Sequence, residues 1–261
     1  MNYGLYLAAS GTLTSLHRMD VVANNLANSE TPGFKPLVAS TRQRETAQVE
    51  DRLATLPSNV LLERLGGGVM LMPTRVSLRQ GNLETTNRPF DVAIEGTGFL
   101  VLRQGAGTGP ESLRFSRDGR LAINPRGTLV QASTGLPVLD TTDRPITLAQ
   151  NEAVSIDSSG NVSQGGRQVA SIQVAEVPQT QGLRPAGNGL LTTSPAVMAK
   201  RTPATGAQLR QGTIERSAVD PLKAMLAISA AERDAGGSAR LIQMFDQLMD
   251  RAVNSFGRTL A

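Results

Sequence analysis

Helical periodicity in this 261-residue chain is confined to its two ends, and that segregation limits what it can fold into. Leu5, Ala9, Leu13, Leu16, Met19, Ala23 and Leu26 recur three or four apart, one apolar stripe of a helix. Pro32-Gly33 stops that helix, because the residue before a proline leaves the α region and glycine admits a tight turn. At the other end Asp220-Pro221 is a helix start. Leu222, Met225 and Leu226 open a second stripe, which Leu241, Ile242, Phe245, Leu248, Met249, Ala252, Val253 and Phe256 continue. Gly236-Gly237 interrupts it, and two interior glycines cost about 1 kcal/mol each relative to alanine, so a kink or break is expected there. The first stripe is thin and rich in alanine, so its helix is marginal alone. Neither helix has an evident partner in the segment between them.

That segment reads as strands. Phe90-Asp91-Val92-Ala93-Ile94 alternates and Phe99-Leu100-Val101-Leu102 is a short apolar run. Arg120-Leu121-Ala122-Ile123, Val154-Ser155-Ile156 and Ser171-Ile172-Gln173-Val174 follow, separated by turns at Asp118-Gly119, Pro125-Arg126-Gly127, Ser159-Gly160-Asn161, Gly165-Gly166 and Gly187-Asn188-Gly189. Short strands at this spacing predict a barrel or sandwich-like domain over 76–212. No long helical pattern alternates with them, which argues against a doubly wound sheet. The expected fold is thus mainly β, flanked by terminal helices that pack as a coiled-coil-like stem. Within residues 36–75, Arg42 to Leu56 is polar with few apolar anchors and a short helix is expected over Asn59 to Leu65 before Gly66-Gly67-Gly68, so the segment reads as a linker or extended arm.

Composition removes several chemistries. With no cysteine there is no disulfide, thiol nucleophile or thiolate metal site. His17, the one histidine, lies inside the first helical pattern of a sequence with no nucleophile elbow, and reads as a helix-surface residue. The net charge of +4 comes from scattered arginines, with lysine only at positions 35, 200 and 223, and eight aromatics provide no stacking platform for nucleic acid. No stretch approaches the ~20 apolar residues of a membrane span, and the N-terminus lacks the pattern of a cleavable secretory signal. No cofactor, metal or small-molecule substrate is expected.

Three local motifs invite functional readings. Gly96-Thr97-Gly98 follows a strand as a phosphate loop would, but lacks the third glycine and the glycine-lysine-serine run, so a hairpin turn is expected. Asp91 and Glu95 share a face of an alternating strand without the aromatic surroundings of a sugar site. Asn161-Val162-Ser163 fits the glycosylation triplet, which is common by chance. The end helices either pack on each other within a monomer or assemble between subunits, and periodicity alone does not decide.

Longer runs of residues carry a resemblance. Asp20-Val21-Val22-Ala23-Asn24-Asn25-Leu26-Ala27-Asn28-Ser29-Glu30-Thr31-Pro32-Gly33-Phe34-Lys35 resembles the N-terminal signature of the bacterial flagellar rod and hook axial proteins. Arg88-Pro89-Phe90-Asp91-Val92-Ala93-Ile94-Glu95-Gly96-Thr97-Gly98-Phe99 is similar to that family's second hallmark, and Phe115-Ser116-Arg117-Asp118-Gly119 to its aromatic turn. Gln211-Gly212-Thr213-Ile214-Glu215-Arg216-Ser217 and Leu241-Ile242-Gln243-Met244-Phe245-Asp246-Gln247 resemble the stretch before, and the body of, its C-terminal helix. Two departures stand out: Ala218 replaces the family's asparagine, and the tyrosine and glutamate usual after Glu232-Arg233 are missing.

The resemblance implies a structural subunit of the flagellar basal body, spanning the periplasm. Such subunits pass through the flagellar export apparatus and then polymerise helically with copies of themselves and neighbouring rod proteins to transmit torque to the hook. Length and the single β domain resemble a rod protein rather than the longer hook proteins, and the Thr31-Pro32-Gly33 form places the proximal rod ahead of the distal rod. Expected parts are an assembly helix and turn (1–35), the arm (36–75), the β domain (76–212) and a C-terminal assembly helix (213–261). Expected assembly residues are Leu5, Leu13, Leu16, Asn24, Asn25, Leu26, Asn28, Phe34, Leu241, Phe245 and Leu248, the asparagines acting through their side-chain amides. The competing reading is a periplasmic enzyme or glycan-binding domain in which the helices form an intramolecular clasp.

Overall fold

The computed structural model describes residues 3–45, 66–150, 152–177 and 182–258. The chain is mainly β, with a long helix near each end. The α-helices among the described residues are α1 (Tyr3–Ala27), the single turn α2 (Pro195–Met198) and α3 (Pro221–Arg258). Two compact units emerge. One comprises Met1–Leu26, Leu37–Thr74 and Asp220–Ala261, the other Ala27–Pro36 and Arg75–Val219.

In the helical unit α3 begins where Asp220 caps it. The Asp220 carboxylate accepts the Lys223 N–H at 3.2 Å and its carbonyl accepts the Ala224 N–H at 3.0 Å. The hydrogen bonds to the carboxylate, led by that of the Lys223 N–H, hold the Asp220 carboxyl below its ordinary pKa. The expected break at Gly236-Gly237 does not occur, for α3 is continuous through both glycines. They lie exposed with open space around each, so they carry a propensity cost of about 2 kcal/mol together without interrupting the helix.

The arm is not a bare linker at its described ends. There β1 (Leu37–Gln43) and β2 (Val69–Val76) form a two-stranded ribbon. The Arg44 N–H donates to Gly68 O and the Ser77 N–H to Pro36 O, an antiparallel closure. Gly68, with φ of 87°, sits against Leu7 and Ser10 of α1, where a Cβ would press on the Ser10 hydroxyl. The helix expected over Asn59 to Leu65 lies outside the described residues.

The second unit carries the remaining strands: β3 (Leu83–Thr85), β4 (Val92–Glu95), β5 (Phe99–Arg103), β6 (Leu113–Ser116), β7 (Leu121–Ile123) and β8 (Leu129–Gln131). After these come β9 (Val154–Ile156), β10 (Asn161–Gln164), β11 (Arg167–Ser171), β12 (Val174–Glu176), β13 (Arg184–Pro185), β14 (Leu191–Thr192), β15 (Thr202–Pro203), β16 (Gln208–Gln211) and β17 (Thr213–Glu215). A six-stranded sheet runs β13-β14-β6-β5-β12-β15 and a three-stranded one β11-β10-β9, with the pairs β16-β4, β17-β3 and β7-β8 beside them. The run expected from Ser171 to Val174 is split, since β11 ends at Ser171 and β12 starts at Val174 in a different sheet.

Strand β5 shows why its apolar run is unbroken. Leu100 and Leu102 point into one core with Val92, Leu129, Val138 and Val162. Phe99 and Val101 point into a second with Phe115, Leu139 and Met198. A strand covered on both faces needs no polar alternation. The Phe99 and Phe115 rings lie 5.9 Å apart at 43°. Each side chain of this size, fully buried, contributes roughly 1.5–3 kcal/mol.

Candidate functional site

The helical unit is held by small residues rather than by the leucines of the stripe. A Cβ at Gly4 would collide with the Phe245 ring, and one at Gly11 would fall 3.1 Å from the Ser238 hydroxyl. A step of seven up α1 is thus matched by a step of seven down α3, so the helices run antiparallel. The Arg18–Asp234 pair, at 4.0 Å, extends the contact. Buried Ala8 and Ser15 in α1, with Ala224 and Ala231 in α3, share the spacing of this seam. Glycine, alanine and serine let two helices approach closely, and the Phe245 ring takes the room that Gly4 leaves.

Leu5, Leu13 and Leu16 all face outward, Leu13 being 60% exposed. On α3, Leu222, Met225 and Leu226 turn away from the seam, Leu222 and Leu226 being 68% and 62% exposed, while exposed Leu241 and Leu248 flank it on either side of Phe245. Phe245 differs from Leu241 and Leu248: it is half-buried and belongs to the intrachain seam. The side chains of Val253 and Phe256 lie outside the described residues. His17, expected on the helix surface, is half-buried, with Nε2 shielded from solvent.

The asparagines divide by position. Asn25 is buried, and its side-chain amide accepts the Leu37 N–H and donates to the Leu37 carbonyl, both at 2.8 Å, so it pairs with β1 as a peptide group would. Asn28 accepts the Thr31 hydroxyl at 3.2 Å, and its carbonyl accepts the Thr31 N–H, which tightens the turn after α1. Asn24 is exposed and Leu26 half-buried. Phe34 is half-buried, and its carbonyl accepts the Ala218 N–H at 3.2 Å.

Beneath that turn lies a cluster that the sequence reading missed. Lys35, Glu215 and Arg117 are 2%, 1% and 4% exposed. Lys35 Nζ donates to Glu215 Oε1 at 2.7 Å and to the Arg79 carbonyl at 2.9 Å. Arg117 Nη1 donates to Glu215 Oε2 at 3.0 Å, and the Gly81 N–H to Oε1 at 2.8 Å. The Arg117 guanidinium also donates to the carbonyls of Ile94, Gly96 and Gly98, and its Cζ lies 5.4 Å from the Phe99 ring centre. Burial lowers the pKa of both cations, and the Glu215 carboxylate opposes that shift.

This corrects the reading of Gly96-Thr97-Gly98. It is not a hairpin turn, because β4 pairs with β16 while β5 pairs with β6 and β12. Its glycines, at φ of 98° and 100°, turn carbonyls inward around an arginine. Asp91 and Glu95 do not form a pair either. Buried Asp91 accepts the Thr86 hydroxyl at 2.7 Å, while Glu95 meets Arg210 at 2.6 Å. A signal for the cluster existed: Glu215 sits on the inward side of a short alternating strand, where a carboxylate demands a partner.

Two family models match separate parts of the chain: the flagella basal body rod protein over residues 5–35, and the flagellar hook protein FlgE/F/G D1 domain over residues 93–164. Over 265 aligned residues the chain is 30% identical to the flagellar basal-body rod protein FlgF of Caulobacter vibrioides, covering 99% of each. The chain belongs to the flagellar basal-body rod proteins. It is also 29% identical to FlgG of Borreliella burgdorferi, covering 97% of this chain and 98% of that one, and 28% identical to FlgF of Salmonella typhimurium, covering 97% of each. The rod family is structural and resides in the flagellar basal body. In this member its N-terminal signature supplies both the end of α1 and Lys35.

Proposed function

We propose that the chain is a proximal-rod subunit that polymerises helically through the outer faces of α1 and α3. Copies of itself and neighbouring rod proteins are its partners, torque transmission is its task, and the flagellar export apparatus delivers it loosely folded. The observation that carries this reading is the two-sidedness of the hairpin. Its seam is satisfied by small residues, and its large apolar side chains, Leu5, Leu13 and Leu16 with Leu222, Leu226, Leu241 and Leu248, are left exposed. A concentration of exposed large apolar side chains marks an interaction face, and heterologous contacts that do not close on themselves generate a helical filament. A coiled-coil-like tube core made from such hairpins needs no catalytic step. The FlgF relatives and the Thr31-Pro32-Gly33 form favour the proximal rod.

The test replaces Leu16 or Leu226 with aspartate. Each variant keeps its folded hairpin and β unit by circular dichroism but fails to appear in purified basal bodies, and cells carrying it do not swim. Normal motility in both variants would sink the outer-face assignment.

The distal rod is the second reading, favoured by the near-complete alignment to FlgG. Localising a tagged copy by electron microscopy separates the two, since the proximal reading places the label at the motor end of the rod.

A further inference from the structure

The three charges of the buried cluster are not equivalent. Arg117 and Glu215 neutralise each other, and their hydrogen bonds to one another, to Gly81 and to the carbonyls of residues 94–98 all lie within 75–219. Lys35 comes from the 27–36 segment and adds a second positive charge. If Lys35 leaves, Glu215 keeps a cation on one oxygen and the Gly81 N–H on the other, and the part-buried Arg79 carbonyl gives up the Lys35 ammonium as a donor. If Glu215 is lost, two buried cations face each other without compensation.

Other ties of the 27–36 segment include three backbone hydrogen bonds. The Gly33 N–H donates to the Glu215 carbonyl at 2.7 Å, the Ala218 N–H to the Phe34 carbonyl, and the Ser77 N–H to the Pro36 carbonyl at 2.8 Å. Glu30 meets Arg216 in an exposed pair at 3.3 Å. Gly33, at φ of 68°, lies so close to the Arg117–Asp118 peptide that any side chain there would collide with backbone. None of these side chains belongs to either apolar core of the β unit.

We infer that residues 27–36 form a detachable latch: the β unit closes around the Arg117–Glu215 pair, and the segment docks on it separately by inserting Lys35 beneath Gly33. Undocking leaves the β unit folded and frees the stretch of chain into which α1 runs. The device is a local opening with its own free energy, distinct from global unfolding.

Native-state hydrogen exchange on the full chain, read residue by residue by NMR, tests it. The latch amides are those of residue 33, Ser77 and Ala218. The core amides are those of Leu129, Val138 and Leu139, which donate to Ile146, Leu129 and Val101. Lys35→Ala is expected to speed exchange at the latch amides at least tenfold while the core amides change less than twofold. Gly33→Ala, which leaves every charge in place, is expected to do the same. Glu215→Gln is expected to speed both sets. Equal acceleration of both sets in Lys35→Ala and Gly33→Ala would show one cooperative unit and overturn the latch. Unchanged latch amides in both variants would overturn it as well.

Discussion

Glu215→Gln isolates the electrostatic core of the β unit, because it conserves shape and removes one charge. The carboxylate faces Lys35 at 2.7 Å and Arg117 at 3.0 Å, with all three side chains almost wholly out of solvent. Whichever way the new amide turns, one cation meets its NH2 group instead of an acceptor. Removing one partner of a buried ion pair costs about 3–5 kcal/mol, a large part of the 5–15 kcal/mol that holds a typical domain together. At roughly 2–4 °C per kcal/mol for a unit of this size, the transition of the β unit falls by about 6–20 °C. The assay is urea and thermal unfolding followed by circular dichroism in the strand region. Because the site is dry, the loss persists in 1 M salt, where exposed pairs such as Arg216–Glu84 are screened. The double variant Lys35→Met/Glu215→Gln, relieved of one stranded cation, recovers about 1 kcal/mol or more relative to the single change. A Glu215→Gln protein within about 0.5 kcal/mol of the parent, the range of an ordinary surface change, would refute the reasoning.

Other outcomes follow from the same geometry. Phe245→Asp disrupts the hairpin itself, since the ring lies over Gly4, and lowers helical ellipticity, whereas Leu16→Asp leaves ellipticity intact and abolishes only assembly; similar ellipticity in the two variants would contradict the seam. Gly236→Ala/Gly237→Ala raises the stability of α3 by roughly 1–2 kcal/mol, because both positions are exposed with open space around a Cβ, and helix melting reports it. Burial holds the Lys35 ammonium below its ordinary 10.5. Between that depressed value and 10.5 the unfolded chain binds more protons than the folded one, so stability rises with pH in that window and is lost again as pH falls through the folded value. Lys35→Met removes this slope, and the difference between the two pH profiles isolates it.

The elements that were legible in the sequence are those governed by local chemistry. Asp220-Pro221 starts α3, Val154-Ser155-Ile156 is β9, and Pro32-Gly33 turns the chain after α1. What escaped was decided by distant partners. Whether Gly96-Thr97-Gly98 closes a hairpin depends on which strands pair, and β4 finds β16 more than a hundred residues away. The stripe of Leu5, Leu13 and Leu16 was visible, but the face that packs against α3 was not, because glycine and serine at helical spacing carry no hydrophobic signal. Lys35 closed a recognisable motif, yet its role depended on Glu215, 180 residues later. Periodicity measures how greasy a face is, and this hairpin is sorted by size.

That sorting has a mechanical side. Gly4 and Gly11 are one heptad apart, and each faces α3 at residues also one heptad apart. The hairpin is therefore graduated in steps of about 10.5 Å along its axis. A slip of one full step would carry Phe245 from the first glycine to the second, where a ring again meets no Cβ. Any smaller displacement drives the ring into a residue that has one. The fit of Phe245 to a residue without a Cβ thus fixes the register of α1 on α3.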